Sequence, residues 1–224
     1  MGKLRRIIVT SDASGARDAA RAGMLVIIVD IIDMSTTLES ALDAGAYAVL
    51  GASPDFTRAP VQVEPYKMGE YASKLAKEAG SNIIIVSEPR IGTDEERINR
   101  STKVMRGIED SGGIIERVIP NIGAESYKLA DFKNKVVIAI TDTGGVAYDA
   151  AFVENQQVTT ATVARTYKQR GLEPALTGVK RAYKMLQAGD TGIAIVAASQ
   201  NSLEDVLAAQ YIYNLFLMQK HINP

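Results

Sequence analysis

The stretch Leu25–Gly45, LVIIVDIIDMSTTLESALDAG, sets two acids and three hydroxyls at the end of an apolar run. Leu25–Val29 reads as a strand buried on both faces. Asp30 then stands at its carboxyl end, Asp33 follows, and Ser35-Thr36-Thr37 opens a helix. Ligands of open α/β sheets lie beyond the carboxyl ends of strands, and a helix N-terminus favours anions. An acid facing such a terminus suits a divalent cation and a phosphate group together.

Three more polar loops follow strand-like runs: Ser87–Asp94 (SEPRIGTD), Thr141–Gly145 (TDTGG) and Ala198–Asp205 (ASQNSLED). In a parallel sheet all four loops share one edge, so Asp30, Glu88, Asp142 and Glu204 or Asp205 are expected to converge. Mg²⁺ takes oxygen ligands, usually one or two carboxylates with water and substrate phosphate, and it polarises a phosphoryl group and positions a water. Each residue also has a structural reading. Thr36 with Glu39 forms a capping box, and Asn201 with Glu204 or Ser202 with Asp205 reads as a helix cap. Asp142 can open a turn before Gly144-Gly145. Arg90 either pairs with Glu88 or holds an anionic ligand group. The charged run Asp94–Arg106 reads as a solvated helix face with pairs such as Glu96–Arg100.

Composition narrows the chemistry. The chain has 224 residues with no cysteine, one histidine and a net charge of −1. Thiolate chemistry, disulfides and Cys-ligated zinc are excluded. The single histidine, His221, argues against histidine triads and multi-histidine metal sites. The chemistry falls to carboxylates, hydroxyls, Lys, Arg, Tyr and backbone amides. Near-zero net charge gives no general attraction to nucleic acid or to an acidic membrane. No apolar run is long enough to cross a bilayer. The start, MGKLRRIIVTSD, turns polar too soon for a secretory leader, and Gly2 is not followed by a myristoylation pattern. A cytoplasmic location is expected. The Arg5-Arg6 pair makes no nucleic-acid case, and neither a Walker motif nor a dinucleotide fingerprint occurs.

The elements that must position these residues alternate. Strands are expected at Arg6–Thr10, Leu25–Val29, Tyr47–Leu50, Ile83–Ser87, Ile114–Ile119, Val136–Ile140, Val158–Ala161 and Gly192–Ala197. Helices are expected at Ser14–Ala22, Thr36–Ala44, Pro65–Ala79, Asp94–Asp110, Gly123–Ala130, Gly145–Val153, Val163–Arg170, Leu172–Ala188 and Ser202–Gln219. This pattern predicts an α/β fold, a three-layer α/β/α arrangement around a mostly parallel sheet. No Pro-, Gly- or Ser-rich linker divides the chain, so one unit over 1–224 is expected. Val26–Leu50 and Val136–Thr160 share the order strand, polar loop, Ala-rich helix, short strand, which hints at an internal duplication. The last helix is apolar nearly all round: Leu203, Val206, Leu207, Tyr211, Leu215 and Met218 form one stripe, and Ala208, Ala209, Ile212, Tyr213, Phe216 and Leu217 cover much of the rest. It predicts a homo-oligomer, a dimer in its simplest form.

VIIVDIIDMSTTLESALDAGA resembles the signature of the 2-phosphosulfolactate phosphatase (ComB-type) family, roughly V-D-V-L-R-A-T-T-T followed by A-L-x-x-G-A. SLEDVLAA resembles that family's S-L-E-D-x-x-x-A segment, and both lie in the matching order. VVIAITDTGGVAYDAA and VSEPRIG sit where the family has T-T-N-G-T-like and G-E-R-G-G-like turns. Here Asp33 stands in place of the first motif's arginine, and Pro89 separates Glu88 from Arg90. The resemblance implies a three-layer fold and Mg²⁺-dependent hydrolysis of a small phosphorylated metabolite, in that family within coenzyme M biosynthesis, with the substrate altered in this chain. It implies Asp30, Glu88 and Glu204 or Asp205 as Mg²⁺ ligands and Ser35, Thr36 and Thr37 at the phosphate. With the loop reading, Asp30, Glu88, Arg90 and Asp142 become the candidate catalytic residues, and Thr143 and Gly144 join the substrate-binding set. The alternative expectations are a non-catalytic relative that binds a small metabolite or a cation, and an assembly protein built on the apolar last helix.

Overall fold

The protein is described by a computed structural model over residues 6–222, with side chains through Met218. Gly2, Arg5 and the His221 side chain lie outside the described residues. The strands are β1 (Ile7–Ser11), β2 (Met24–Val29), β3 (Ala48–Ala52), β4 (Ile83–Ser87), β5 (Ile115–Pro120), β6 (Val136–Ile140), β7 (Val158–Thr160) and β8 (Gly192–Ala197). The helices are α1 (Asp12–Arg21), α2 (Met34–Asp43), α3 (Pro65–Ala79), α4 (Asp94–Asn99), α5 (Thr102–Asp110), α6 (Gly144–Glu154), α7 (Glu173–Met185) and α8 (Leu203–Ile222), with a 3-10 turn at Gly123–Lys128.

The expected α/β architecture is present, and every strand ladder is parallel. The strands divide between two four-stranded sheets, ordered β1-β8-β2-β7 and β5-β4-β6-β3. The two orders coincide when β2 is exchanged for β6, β3 for β7, β8 for β4 and β1 for β5. The segments that look alike in sequence therefore occupy exchangeable places. The chain leaves β2, passes through α2 and enters the other sheet at β3; it leaves β6, passes through α6 and returns at β7.

Those two crossings put α2 and α6 between the sheets, where each touches strands of both. This is why both helices are buried on all sides rather than along one stripe: Met34–Ala41 and Gly144–Phe152 are buried throughout. Alternation along β2 separates its two faces. Met24, Val26 and Ile28 join the core shared with α1 and the second sheet. Leu25, Ile27 and Val29 pack under α7 and α8. The inner face of α8 uses Ala208, Ala209, Ile212, Leu215 and Phe216. Leu203, Leu207, Tyr211 and Met218 face outward on the same helix.

Three expected helices differ. Val163–Arg170 is irregular because Asp43, at the end of α2, accepts hydrogen bonds from Thr166 Oγ1 (2.5 Å), Lys168 N (2.7 Å), Gln169 N (3.2 Å) and Gln169 Nε2 (2.9 Å). A carboxylate that satisfies a loop's own amides competes with helix formation. Gly123–Ala130 closes into the shorter 3-10 turn. Asp94–Asp110 breaks at Arg100–Ser101, where Ser101 Oγ donates to Arg97 O (2.7 Å). Arg97 turns inward, donating to the carbonyls of Pro89 (3.1 Å) and Gly92 (3.0 Å). The cap on α4 comes from Thr93 and Glu96.

Helices α3 and α5 cross at Gly69 and Gly107, where an added Cβ would run into the backbone carbonyls of Val104 and Tyr66 respectively. In an open helix Gly→Ala gains about 1 kcal/mol. At this crossing overpacking costs about 1–3 kcal/mol, so the sign reverses. Gly69→Ala is expected to lower the melting temperature by roughly 2–4 °C per kcal/mol lost, read by thermal denaturation; an unchanged or raised value would refute the close crossing.

Candidate active site at the strand ends

The strand-end loops of both sheets meet at Asp30. Asp30 is 1% exposed. Its Oδ2 accepts hydrogen bonds from Gly144 N (2.9 Å) and Thr143 Oγ1 (3.2 Å), at the N-terminus of α6. Gly144 must be glycine for this approach, since a Cβ would run into the Asp30 carboxylate. Glu88 follows β4 and lies 3.5 Å from Arg100 Nη2. The same Nη2 donates to Asp142 Oδ2 at 2.6 Å. Arg90 ion-pairs with Asp33, not with Glu88. Glu88 and Arg100 are half-buried, while Asp142 and Thr143 are exposed.

The electrostatics single out two of these groups. Burial, and next the charge of Asp205, raises Asp30 to about 7, against the pull of the Gly144 and Thr143 donors. Burial raises Glu88 to about 7 as well, followed by the charge of Asp142 and a hydrogen bond shared with it; Arg100 opposes the shift and Asp30 adds to it. Buried carboxyls that share a neighbourhood titrate near neutrality because the ionised form is poorly solvated. Burial also raises Asp205.

The expected hydroxyls are turned inward. Ser35 Oγ accepts from Asp30 N (2.9 Å) and donates to Ile28 O (3.0 Å). Thr36 Oγ1 donates to Ile31 O (2.8 Å) and meets Thr162 Oγ1 at 2.9 Å. Thr37 Oγ1 donates to Asn121 Oδ1 (2.5 Å). The Thr36–Glu39 capping box does not form, because Glu39 is drawn to Arg181 of α7. The N-cap of α2 is Asp33, whose side chain makes no cap hydrogen bond.

Of the acids expected at the Mg²⁺ site, Asp30 feels the charge of Asp205, and Glu88 that of Asp142 and Asp30, but they do not close into one ligand set. Glu204 faces solvent, and Asp205 Oδ1 accepts from Ile31 N (2.8 Å), while Ser202 caps α8 by accepting from Asp205 N (3.3 Å). Among the described residues no three Asp, Glu or His side chains gather where they could hold one metal ion. The residues present do not fit that ligand set.

Sequence reasoning missed Arg100 and Asn121. Arg100 lies in a charged run that reads as a solvated face, yet the helix break turns it to Glu88 and Asp142 rather than Glu96. Asn121 directly follows β5, and that position was the available signal. Two surface concavities lie elsewhere. One of about 460 Å³ is lined by Ala44, Tyr127, Phe132 and Tyr167 among others, and one of about 400 Å³ by Lys67, Tyr71, Lys74 and Phe152 among others. Among the described residues no helix is long and apolar enough to cross a membrane. Neither a protein-family model nor a curated protein matches the chain.

The raised Asp30 value has a sign. Its contribution to stability is complete below the ordinary aspartate value of 3.8 and is lost as pH rises toward about 7. Asp30→Asn removes that penalty while keeping an acceptor for Gly144. The variant is expected to melt several degrees above the parent at pH 8.5, with less than half of that gap remaining at pH 5, on the scale of roughly 2–4 °C per kcal/mol. Equal differences at both pH values would show that Asp30 titrates normally.

Proposed function

We propose that the chain is a hydrolase of small phosphate monoesters, related in its chemistry to the 2-phosphosulfolactate phosphatases that its strand-end motifs resemble. The supporting observation is the pair Asp30 and Glu88: two carboxyls at one rim, each raised to about 7, beside the N-terminus of α6. Two such groups at neutral pH supply one proton acceptor and one proton donor.

The surroundings divide the roles. Thr143 and Gly144 donate to Asp30 and favour its ionised form, so Asp30 serves as the base. Glu88 shares a hydrogen bond with Asp142 that favours its protonated form, so Glu88 serves as the acid. In this reaction a water attacks phosphorus in line with the ester oxygen, and Asp30 takes the water's proton. The phosphorus–ester bond breaks, and Glu88 gives its proton to the departing alkoxide. Inorganic phosphate and an alcohol leave. Arg100 holds Asp142 and Glu88 in place, and the α6 terminus contributes positive potential toward the phosphoryl oxygens.

The second reading is a protein that binds a small metabolite or cation without turnover. The position of the two concavities away from the rim favours it, since small-molecule sites are usually concave.

Phosphate release from a panel of small phosphate monoesters, with and without Mg²⁺, separates the two. Hydrolysis with a bell-shaped pH profile centred near 7 is expected, with Asp30→Asn and Glu88→Gln each lowering kcat by about 10²–10⁴-fold. Metabolite-induced thermal stabilisation without phosphate release supports the second reading. Equal rates for parent and Asp30→Asn would end the hydrolase assignment.

A further inference from the structure

Among the described residues, the three most exposed large apolar side chains in loops are Ile91 (91%), Phe56 (80%) and Ile32 (65%). Each follows a strand at its carboxyl end: Ile32 after β2, Phe56 after β3 and Ile91 after β4. They therefore share the edge that carries Asp30 and Glu88. Each also stands on backbone that other residues hold. Ile32 lies between Ile31 and Asp33. The Ile31 N–H donates to Asp205 Oδ1 (2.8 Å), its carbonyl accepts from Thr36 Oγ1 (2.8 Å), and Asp33 pairs with Arg90. Ile91 lies between Arg90 and Gly92, whose carbonyls accept from Arg97 Nη2 at 3.4 and 3.0 Å. Phe56 follows Asp55. The Asp55 N–H donates to Arg100 O (3.0 Å), and its carboxylate accepts from Lys103 N (3.1 Å) and Thr102 Oγ1.

Apolar side chains scattered singly over a surface are ordinary. Three on pinned loops at one edge are not scattered. The Asp33–Arg90 contact brings the loops of Ile32 and Ile91 together. Asp55 ties the Phe56 loop to Arg100, whose guanidinium reaches Glu88 and Asp142. Arg90 and Arg100 are thereby matched by Asp33 and Asp142. A second anionic group on a ligand meets the acids of this rim, whereas an apolar group meets side chains whose removal from water is favourable. The same acids oppose an anionic bilayer.

We propose that Ile32, Phe56 and Ile91 form the specificity surface for the alcohol half of the substrate, and that this half is an apolar alkyl or aryl group. The proposal rests on the phosphoester reading, in which Glu88 protonates the departing alkoxide. The alcohol then lies on the Glu88 side of the rim, where the Ile91 loop begins and Arg100 holds the Phe56 loop. The bonds that fix these loops do not involve the three apolar side chains. A ligand covers them without rearranging the backbone, and little ordering cost is set against the apolar area it buries.

The test is calorimetric titration of the full chain with n-alkylphosphonates from ethyl to hexyl, whose carbon–phosphorus bond is not hydrolysed. Parent, Ile91→Ser and the triple variant Ile32→Ser/Phe56→Ser/Ile91→Ser are compared, each checked for folding by circular dichroism. A methylene half or fully buried against the loops corresponds to about two- to fourfold in affinity. Parent affinity is expected to rise by that factor for each added methylene. Ile91→Ser is expected to reduce the slope and the triple variant to abolish it. Carboxyethylphosphonate is expected to bind the parent more weakly than propylphosphonate. A flat series in the parent, an unchanged slope in the folded triple variant, tighter binding of carboxyethylphosphonate, or no binding of any phosphonate overturns the proposal. A flat series together with binding to phosphatidylcholine vesicles that the triple variant loses also overturns it, and assigns the three side chains to a bilayer surface. The two readings fail separately. Rising phosphonate affinity with no phosphate release from butyl phosphate keeps the apolar recognition and removes the hydrolase; phosphate release from ethyl and hexyl phosphate with a flat phosphonate series does the reverse.

Discussion

The hydrogen bond from Gly144 N to Asp30 Oδ2 is the constraint on which the rest of the rim depends. Asp30 ends a strand of one sheet, and Gly144 begins the helix that leaves the other sheet. A carboxylate with 1% exposure persists only with donors and a favourable field. The first amide of α6 and the Thr143 hydroxyl provide the donors, and the helix N-terminus provides the field. Any side chain at 144 would collide with the acid. The same contact sets the distance between the sheets at their carboxyl edge, and so places Glu88 of the second sheet near Asp30 of the first.

Other buried acids show what distinguishes this one. Glu39 in α2 is answered by Arg181, which also donates to Thr160 O at 2.7 Å. Asp149 in α6 accepts from Ser53 N (3.2 Å), Ser53 Oγ (2.6 Å) and Glu64 N (2.7 Å). Each central helix therefore carries a buried acid that fastens neighbouring elements, with donors to hold it. Asp43 does the same for the loop after β7. Burial raises Glu39, Asp149, Asp30 and Glu88 alike, but Glu39 is opposed chiefly by Arg181 and Asp149 by three donors, whereas at Asp30 and Glu88 the next largest influence is another acid, Asp205 and Asp142 respectively.

The strands were legible because buried parallel strands are continuous apolar runs, and IIIVS and VVIAI admit no other reading of that length. Their division between two sheets was not, since β2 and β6 look equally central in sequence and nothing local says that α2 and α6 change sheets. Asp30 and Glu88 were found because a strand end followed by acid is a local signal. The partners of Arg90, Arg100 and Thr37 were not, because they come from residues 57, 42 and 84 positions away. Long-range pairing also undid the Thr36–Glu39 cap: Arg181, 142 positions from Glu39, outweighs a capping contact.

Charge balance at the rim follows from these pairings. Asp33 is matched by Arg90, and Asp142 by Arg100. Asp30 and Glu88 remain, with Arg100 only 3.5 Å from Glu88 and already engaged by Asp142. Each of these carboxyls adds an uncompensated negative charge in a poorly solvated place when it ionises, beside the charge of Asp205 that already acts on Asp30. Their shared value of about 7 comes first from burial and next from the neighbouring charges of Asp205 and Asp142. An arriving oxyanion is therefore opposed by the rim above neutrality and accepted below it, and its entry raises the proton affinity of both groups further, by the same reciprocal coupling that links any two charged sites.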